Sequence, residues 1–331
     1  MDVVLRIGTP QEAGMDPARV DHIKARAQGW VEEGVHPALV VLAARKGVIF
    51  LHEAYGRLRP GEDTPLPKDA IFPVMSAAKP VTAACVLMLV EDGKVGLMRP
   101  VREYFPEISG EGTDEVLVHH LLSHLSGWRD IDVSREIVRR RQEGSPAPPP
   151  KPGQHAQTAD FIYSASGTPL TCPPGSAMQY CQLNYVLLGD LVRRVSGKGI
   201  AQFAQERLFG PLGMRDSSYA LPADRRDRKV RRGREMPGAA FSGRFYPGID
   251  TPEFEDVPWG HAGMYTTAAD YASFAQMLLN QGPYGPGRVL SRASVQAMTR
   301  NQVPRGVPVR WTRLGPGGEV IDWDFPGGYG Y

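Results

Sequence analysis

Cysteine is scarce in this chain: Cys85, Cys172 and Cys181 are the only three among 331 residues. An odd, unclustered set makes no disulfide framework and points to a reduced, cytoplasmic setting. Long apolar runs are missing too. Nowhere do about 20 apolar residues follow one another, which speaks against a transmembrane helix. The opening Met1-Asp2-Val3-Val4-Leu5-Arg6 has no basic stretch leading into an apolar one, so no signal peptide is expected. Cations and anions nearly balance: a net +2 gives no mandate for nucleic acid or an anionic membrane. Neither Gly-x-Ser-x-Gly nor Gly-x-Gly-x-x-Gly occurs, so α/β-hydrolase and dinucleotide-binding chemistry lack support. His120 and His124 stand at i and i+4 with His119 beside them, but no carboxylate accompanies them as a general base. A structural pair is the favoured reading, and no metal or organic cofactor is called for.

What is present is an ordinary soluble composition, 42% hydrophobic and 22% charged, long enough for one large unit or two interleaved ones. Its most informative feature is Ser76-Ala77-Ala78-Lys79 at the start of an apolar segment that reads as a helix through Glu91. A serine hydroxyl needs an adjacent base. In a first helical turn positions i and i+3 share a face, so the Lys79 amine can reach the Ser76 oxygen. The positive helix N-terminus helps to keep that amine neutral, and its N–H groups can face an oxyanion. Pro80 fits a first turn far better than a helix interior.

Elsewhere, residues 11–34 read as an amphipathic helix, and 38–44 and 48–52 as two strands around Arg45-Lys46-Gly47. Helices are expected over 114–123, 183–195, 201–209 and 267–281. The segment 139–154, basic and then rich in proline, reads as an exposed loop or a lid.

In this order the landmarks resemble the serine β-lactamase-like family of class C β-lactamases, DD-peptidases and family VIII carboxylesterases. The likeness rests on Phe72-Pro73-Val74-Met75-Ser76-Ala77-Ala78-Lys79-Pro80, Leu121-Leu122-Ser123-His124-Leu125-Ser126-Gly127, Pro174-Gly175 before Tyr180, Tyr185-Val186-Leu187-Leu188-Gly189, Phe209-Gly210-Pro211-Leu212-Gly213-Met214 and Gly263-Met264-Tyr265-Thr266-Thr267. It implies an α/β fold of the α+β type, in which an antiparallel sheet flanked by helices (1–72 and 254–331) joins a mostly helical region (73–253) in one catalytic unit. It also implies that Ser76 is the acylated nucleophile, Lys79 its base and Tyr180 a proton shuttle. A phenol serves as a base only where a cation such as Lys79 stabilises its phenolate.

Two departures bear on activity. The family's Tyr-x-Asn is here Tyr180-Cys181-Gln182, and Gln182, one methylene longer, is assigned to substrate binding from a shifted position. The change favours esterases and acyltransferases over lactamases and peptidases. The family's third motif is expected after Phe325-Pro326-Gly327-Gly328-Tyr329-Gly330-Tyr331, where this sequence stops. Strands and a helix amounting to about 40–60 residues are therefore expected to be missing or supplied by a partner segment. His261-Ala262-Gly263 matches His-x-Gly as a string but stands where the family has a glycine-rich turn. Cys181 is read as a packed thiol, and the cationic run from Arg225 to Arg234 as a solvated loop.

The leading expectation is a serine hydrolase or acyltransferase forming an acyl-enzyme on Ser76, of carboxylesterase type, acting on a small-molecule ester or a related amide or lactam. No nucleic-acid or membrane partner is expected, and the oligomeric state stays open. The alternatives are β-lactamase or D-amino-acid peptidase activity, and a catalytically silent member or fragment that binds a ligand.

Overall fold

Short strands and buried helices alternate along the chain in a computed structural model that describes residues 3–144, 146–231, 251–314, 319–325 and 328–331. The fold is mixed α/β, with small sheets among helices. The described chain divides into two compact units.

The first unit comprises Met1–Met75, Ala204–Pro258 and Gly263–Val289. Asp16 caps the helix Pro17–Glu32 by accepting from the Ala18 N–H, and Pro17 takes the first position, where a missing N–H costs nothing. The strands Ala38–Arg45 and Val48–Gly56 form the expected antiparallel hairpin, flanked in parallel by Arg6–Ile7. A second small sheet orders Phe72–Pro73, Met264–Thr266 and Ser218–Tyr219. The helix Ala268–Leu279 starts from a Thr267 cap and packs on the first hairpin.

Part of the cationic run belongs to this unit, and it is not the solvated loop expected. Lys229 is fully buried and pairs with buried Glu255 at 2.7 Å, while Arg228 reaches Asp216 at 2.8 Å. A buried ammonium is tolerated only where a carboxylate meets it. Arg232 and Arg234 lie outside the described residues.

The second unit comprises Ser76–Phe203, Trp259–Ala262 and Leu290–Tyr331. Its centre is the helix Ala78–Glu91, buried on every side from Val81 to Leu89, which packs against the helices Gln182–Ser196 and Arg292–Thr299. All-round apolarity is what a central helix requires. Two helices unforeseen in the sequence, Asp130–Gln142 and Ala156–Ala165, also lie here. The first buries only Val133, Glu136 and Ile137. It draws on Asp130 and Asp132 in its first turn and on Arg139, Arg140 and Arg141 in its last, charges that suit the helix dipole. It absorbs the basic part of the expected loop, and the proline-rich residues 146–150 follow without regular structure.

The strands Val309–Leu314 and Val320–Phe325 form a hairpin whose first strand pairs in parallel with Met178–Gln179. Among the described residues these strands do not join the N-terminal hairpin in one sheet, as the sequence led us to expect. Val309 is instead buried with Leu125, Met178 and Val303, and that contact sets the pairing.

Candidate active site

Ser76 lies in a single 3₁₀ turn, Met75–Ala77, that runs straight into the helix Ala78–Glu91. Met75, the residue before it, has φ +49°, a left-handed backbone that a long side chain adopts only where its surroundings impose it. The turn leaves Ser76 exposed and, three residues on, carries Lys79 inward until only 2% of it is accessible. The two still meet: Lys79 Nζ lies 3.1 Å from Ser76 Oγ. Lys79 also donates to the main-chain carbonyl of His261 at 2.9 Å. The His261 contribution is thus a backbone oxygen behind the lysine.

Burial is the main cause of the acidity of Lys79, whose pKa is pushed down to about 7 even though Asp130 acts in the opposite direction. Desolvation, and not the positive helix N-terminus, is the largest cause of the shift. Near neutral pH a large share of Lys79 is therefore the free amine, able to accept a proton.

Tyr180 arrives from the other side. Met178–Gln179 is held in the sheet, and Cys181 stands at the N-cap position of the helix Gln182–Ser196, so Tyr180 falls at the strand-to-helix junction. Its hydroxyl donates to Ser76 Oγ at 2.8 Å, and Lys79 Nζ sits 4.8 Å from its ring centroid. Burial raises the Tyr180 pKa to about 12, and the charge of Asp130 adds to the shift. The phenol accordingly holds its proton at neutral pH, unlike the phenolate considered from the sequence. Gln182, half-buried, opens the following helix, and its N–H donates to Asp130 Oδ1 at 2.6 Å.

Of three supports of this cluster, Asp130 and Trp311 escaped the sequence reading, while His124 was expected to be structural. Asp130 holds the start of the Gln182 helix, and the acidic first turn of its own helix was the available signal. His124, fully buried at φ +56°, accepts at Nδ1 from the Cys181 N–H at 3.2 Å, and its ring stacks on Tyr180 at 4.5 Å. Burial drives its pKa well below the usual histidine range, so it packs as a neutral ring. Trp311, on the hairpin, lies parallel to Tyr180. Cys181 is buried, and burial pushes its thiol pKa well up, which makes it a poor nucleophile. Among the described residues no group of three or more His, Cys, Asp or Glu is placed to hold a metal ion, and no helix is long and apolar enough to cross a membrane.

In this mixed α/β chain an exposed serine, a buried lysine with its pKa near 7 and a protonated tyrosine thus meet at one oxygen. The chain belongs to the Beta-lactamase family, whose model matches residues 23–331. It is 31% identical over 297 residues to penicillin-binding protein 4 of Amycolatopsis lactamdurans, an alignment covering 85% of this chain and 71% of that protein. It is 30% identical over 257 residues to esterase EstB of Burkholderia gladioli, covering 70% and 62%. A penicillin-binding protein homologue from Caulobacter crescentus shares the fold, with a TM-score of 0.68 at 20% identity over 93% of this chain and 80% of that one. The chain spans 61% of the length of the Mycobacterium tuberculosis proteins it also matches.

Proposed function

We propose that this chain carries a serine acyl-transfer site of esterase type, acting on small-molecule esters and, more slowly, on related amides or lactams. The observation that carries this reading is the convergence of Lys79 Nζ at 3.1 Å and Tyr180 Oη at 2.8 Å on the single oxygen of Ser76. The exposed serine is the group a substrate can reach, and the amine behind it has its pKa near 7.

In the proposed sequence the neutral amine of Lys79 takes the Ser76 proton as Oγ bonds to the substrate carbonyl carbon. The oxyanion that forms is met by the Ser76 N–H, free of helical pairing at the start of the helix. When the tetrahedral adduct collapses, the carbon–oxygen bond to the alcohol breaks. The departing oxygen takes the Tyr180 proton, and the Lys79 ammonium restores that proton to the phenol. Water or an acceptor alcohol then attacks the acyl-enzyme by the reverse relay, returning Ser76 its proton. Gln182, two residues beyond Tyr180, is assigned to the substrate. The name of EstB favours the ester reading, as does a glutamine in place of the family's asparagine.

The test is intact mass after incubation with a fluorophosphonate, which forms a covalent adduct with an activated serine. One adduct on the parent and none on Ser76→Ala is expected. An adduct that persists on Ser76→Ala, or a folded parent that takes none, would overturn the assignment.

A further inference from the structure

Resting on the acyl-transfer reading of Ser76, we propose that Asp130 is a positioning residue of the site: its carboxylate fixes the turn that carries Tyr180 and, through its charge, sets the pH at which Lys79 becomes the free amine. On the tyrosine side the tie is a direct bond. Asp130 Oδ1 accepts from the Gln182 N–H at 2.6 Å, two residues beyond Tyr180. The helix Gln182–Ser196 needs that acceptor, because Cys181 at its N-cap position offers no side-chain bond. A carboxylate also suits the positive end of a helix. The Cys181 thiol lies beside the same carboxylate, whose charge adds to the rise of its pKa. Asp130 thus holds both residues that follow Tyr180, whose hydroxyl donates to Ser76 Oγ at 2.8 Å.

On the lysine side the link is charge acting at a distance. Arg129, the neighbour of Asp130 in the chain, turns instead to Asp132 and Asp322, and among the described residues no cation pairs with Asp130. Lys79 makes no ion pair there either: its amine bonds to Ser76 Oγ and to the His261 carbonyl, both neutral. The other groups around the amine carry no charge at neutral pH. Tyr180 and the Cys181 thiol keep their protons, burial holds His124 and His261 neutral, and Tyr185 presents its ring at 5.7 Å. The helix Arg292–Thr299 meets the Ala78 helix at its opposite end, where Ser291 and Ser294 bond to Glu91. Asp130 is left as the charge that opposes the desolvation of Lys79. A carboxylate in contact would lock the ammonium in place, whereas one set back from it leaves the amine free to give up its proton near neutrality.

The test is the rate of fluorophosphonate labelling from pH 5 to 9 for the parent, Asp130→Asn and Asp132→Asn. Asp130→Asn keeps the shape and an oxygen for the Gln182 N–H but removes the charge. With desolvation unopposed, its labelling limb is expected to move down by about half a pH unit or more. The plateau should also fall below the parent's, because the amine is then a weaker base. Asp132→Asn removes an equal charge from the same helix, but one already engaged by Arg129, and is expected to leave the midpoint within about 0.2 units of the parent. If the midpoint of Asp130→Asn moves by less than about half a unit, or upward, or if Asp132→Asn matches its shift, Asp130 serves the fold alone and the proposal is overturned. Should Asp130→Asn not fold, Asp130→Ser, whose hydroxyl can accept from the same N–H, takes its place with the same expected shift. A parent that takes no fluorophosphonate refutes the acyl-transfer reading itself, an outcome distinct from an unmoved midpoint.

Discussion

At the residue scale the decisive contrast is between two proton positions on either side of one oxygen. Lys79 is buried until its pKa falls to about 7, and Tyr180 is buried until its own rises to about 12, so one is the acceptor and the other the donor at neutral pH. On the proposed mechanism, acylation by a fluorophosphonate should rise with pH along a single limb centred near 7 and then hold level, because only the neutral amine of Lys79 would accept the serine proton. Tyr180→Phe should slow acylation by about 10² or more while leaving that limb in place. Loss of the limb in Tyr180→Phe would make the phenol the base and reverse the assignment. Labelling rates measured from pH 5 to 9 decide the matter.

At the element scale the site depends on how closely the helix Gln182–Ser196 meets the segment around Gly260. A Cβ at Gly260 would drive into the carbonyl of Tyr185 and approach Gly189 Cα at 2.9 Å. The Gly260 carbonyl already accepts from Thr82 at 2.6 Å, and the next carbonyl, of His261, holds Lys79. Gly260→Ala should push this segment off the helix, costing about 1–3 kcal/mol by overpacking. It should also lower the labelling rate, since the anchor of Lys79 moves with it. Denaturant midpoints and labelling rates measured together test the coupling, and a variant that loses stability but labels at the parental rate would separate the two. A parallel dependence runs through Asp130, whose helix begins where the Gln182 N–H needs an acceptor. Asp130→Ala removes the acceptor of that N–H at the helix start, with an expected cost of about 1–3 kcal/mol in a chemical denaturation experiment.

At the scale of the whole molecule the buried lysine is a cost to the fold. Its pKa is lower in the folded chain than the usual value of 10.5, so between about 7 and 10.5 the unfolded chain binds more protons. The contribution of Lys79 to stability is therefore complete above pH 10.5 and is lost as pH falls through 7. Asp130 runs the other way: burial raises its pKa, so its contribution is complete at low pH and is lost as pH rises through its folded value. Near neutrality both groups weigh against folding. Lys79→Met, close in length and apolar, should stabilise the chain by about 1–3 kcal/mol at pH 6, with the gain shrinking toward pH 10, while labelling is abolished. Thermal midpoints of parent and variant across that range measure the difference. A gain independent of pH would assign it to packing and not to charge.

From the sequence alone came the family resemblance, the α/β class and the Ser76, Lys79 and Tyr180 candidates, because short motifs carry the chemistry in residue types at fixed spacing. The i to i+3 step from Ser76 to Lys79 is a local property of one turn, and a local pattern is legible in a string. Tertiary structure decided the rest. The acidity of Lys79 depends on how much protein surrounds it, and the proton on Tyr180 depends on desolvation beside Asp130. Lys229 looked like one cation in a solvated run until Glu255, 26 residues on, met it in the interior. The helix Asp130–Gln142 escaped notice because it buries only three side chains. Trp311 is separated from Tyr180 by 131 residues and is brought parallel to it by a hairpin whose pairing no short window contains. Burial, charge pairing over distance and ring stacking are properties of neighbours in space, and those neighbours exist only once the chain has folded.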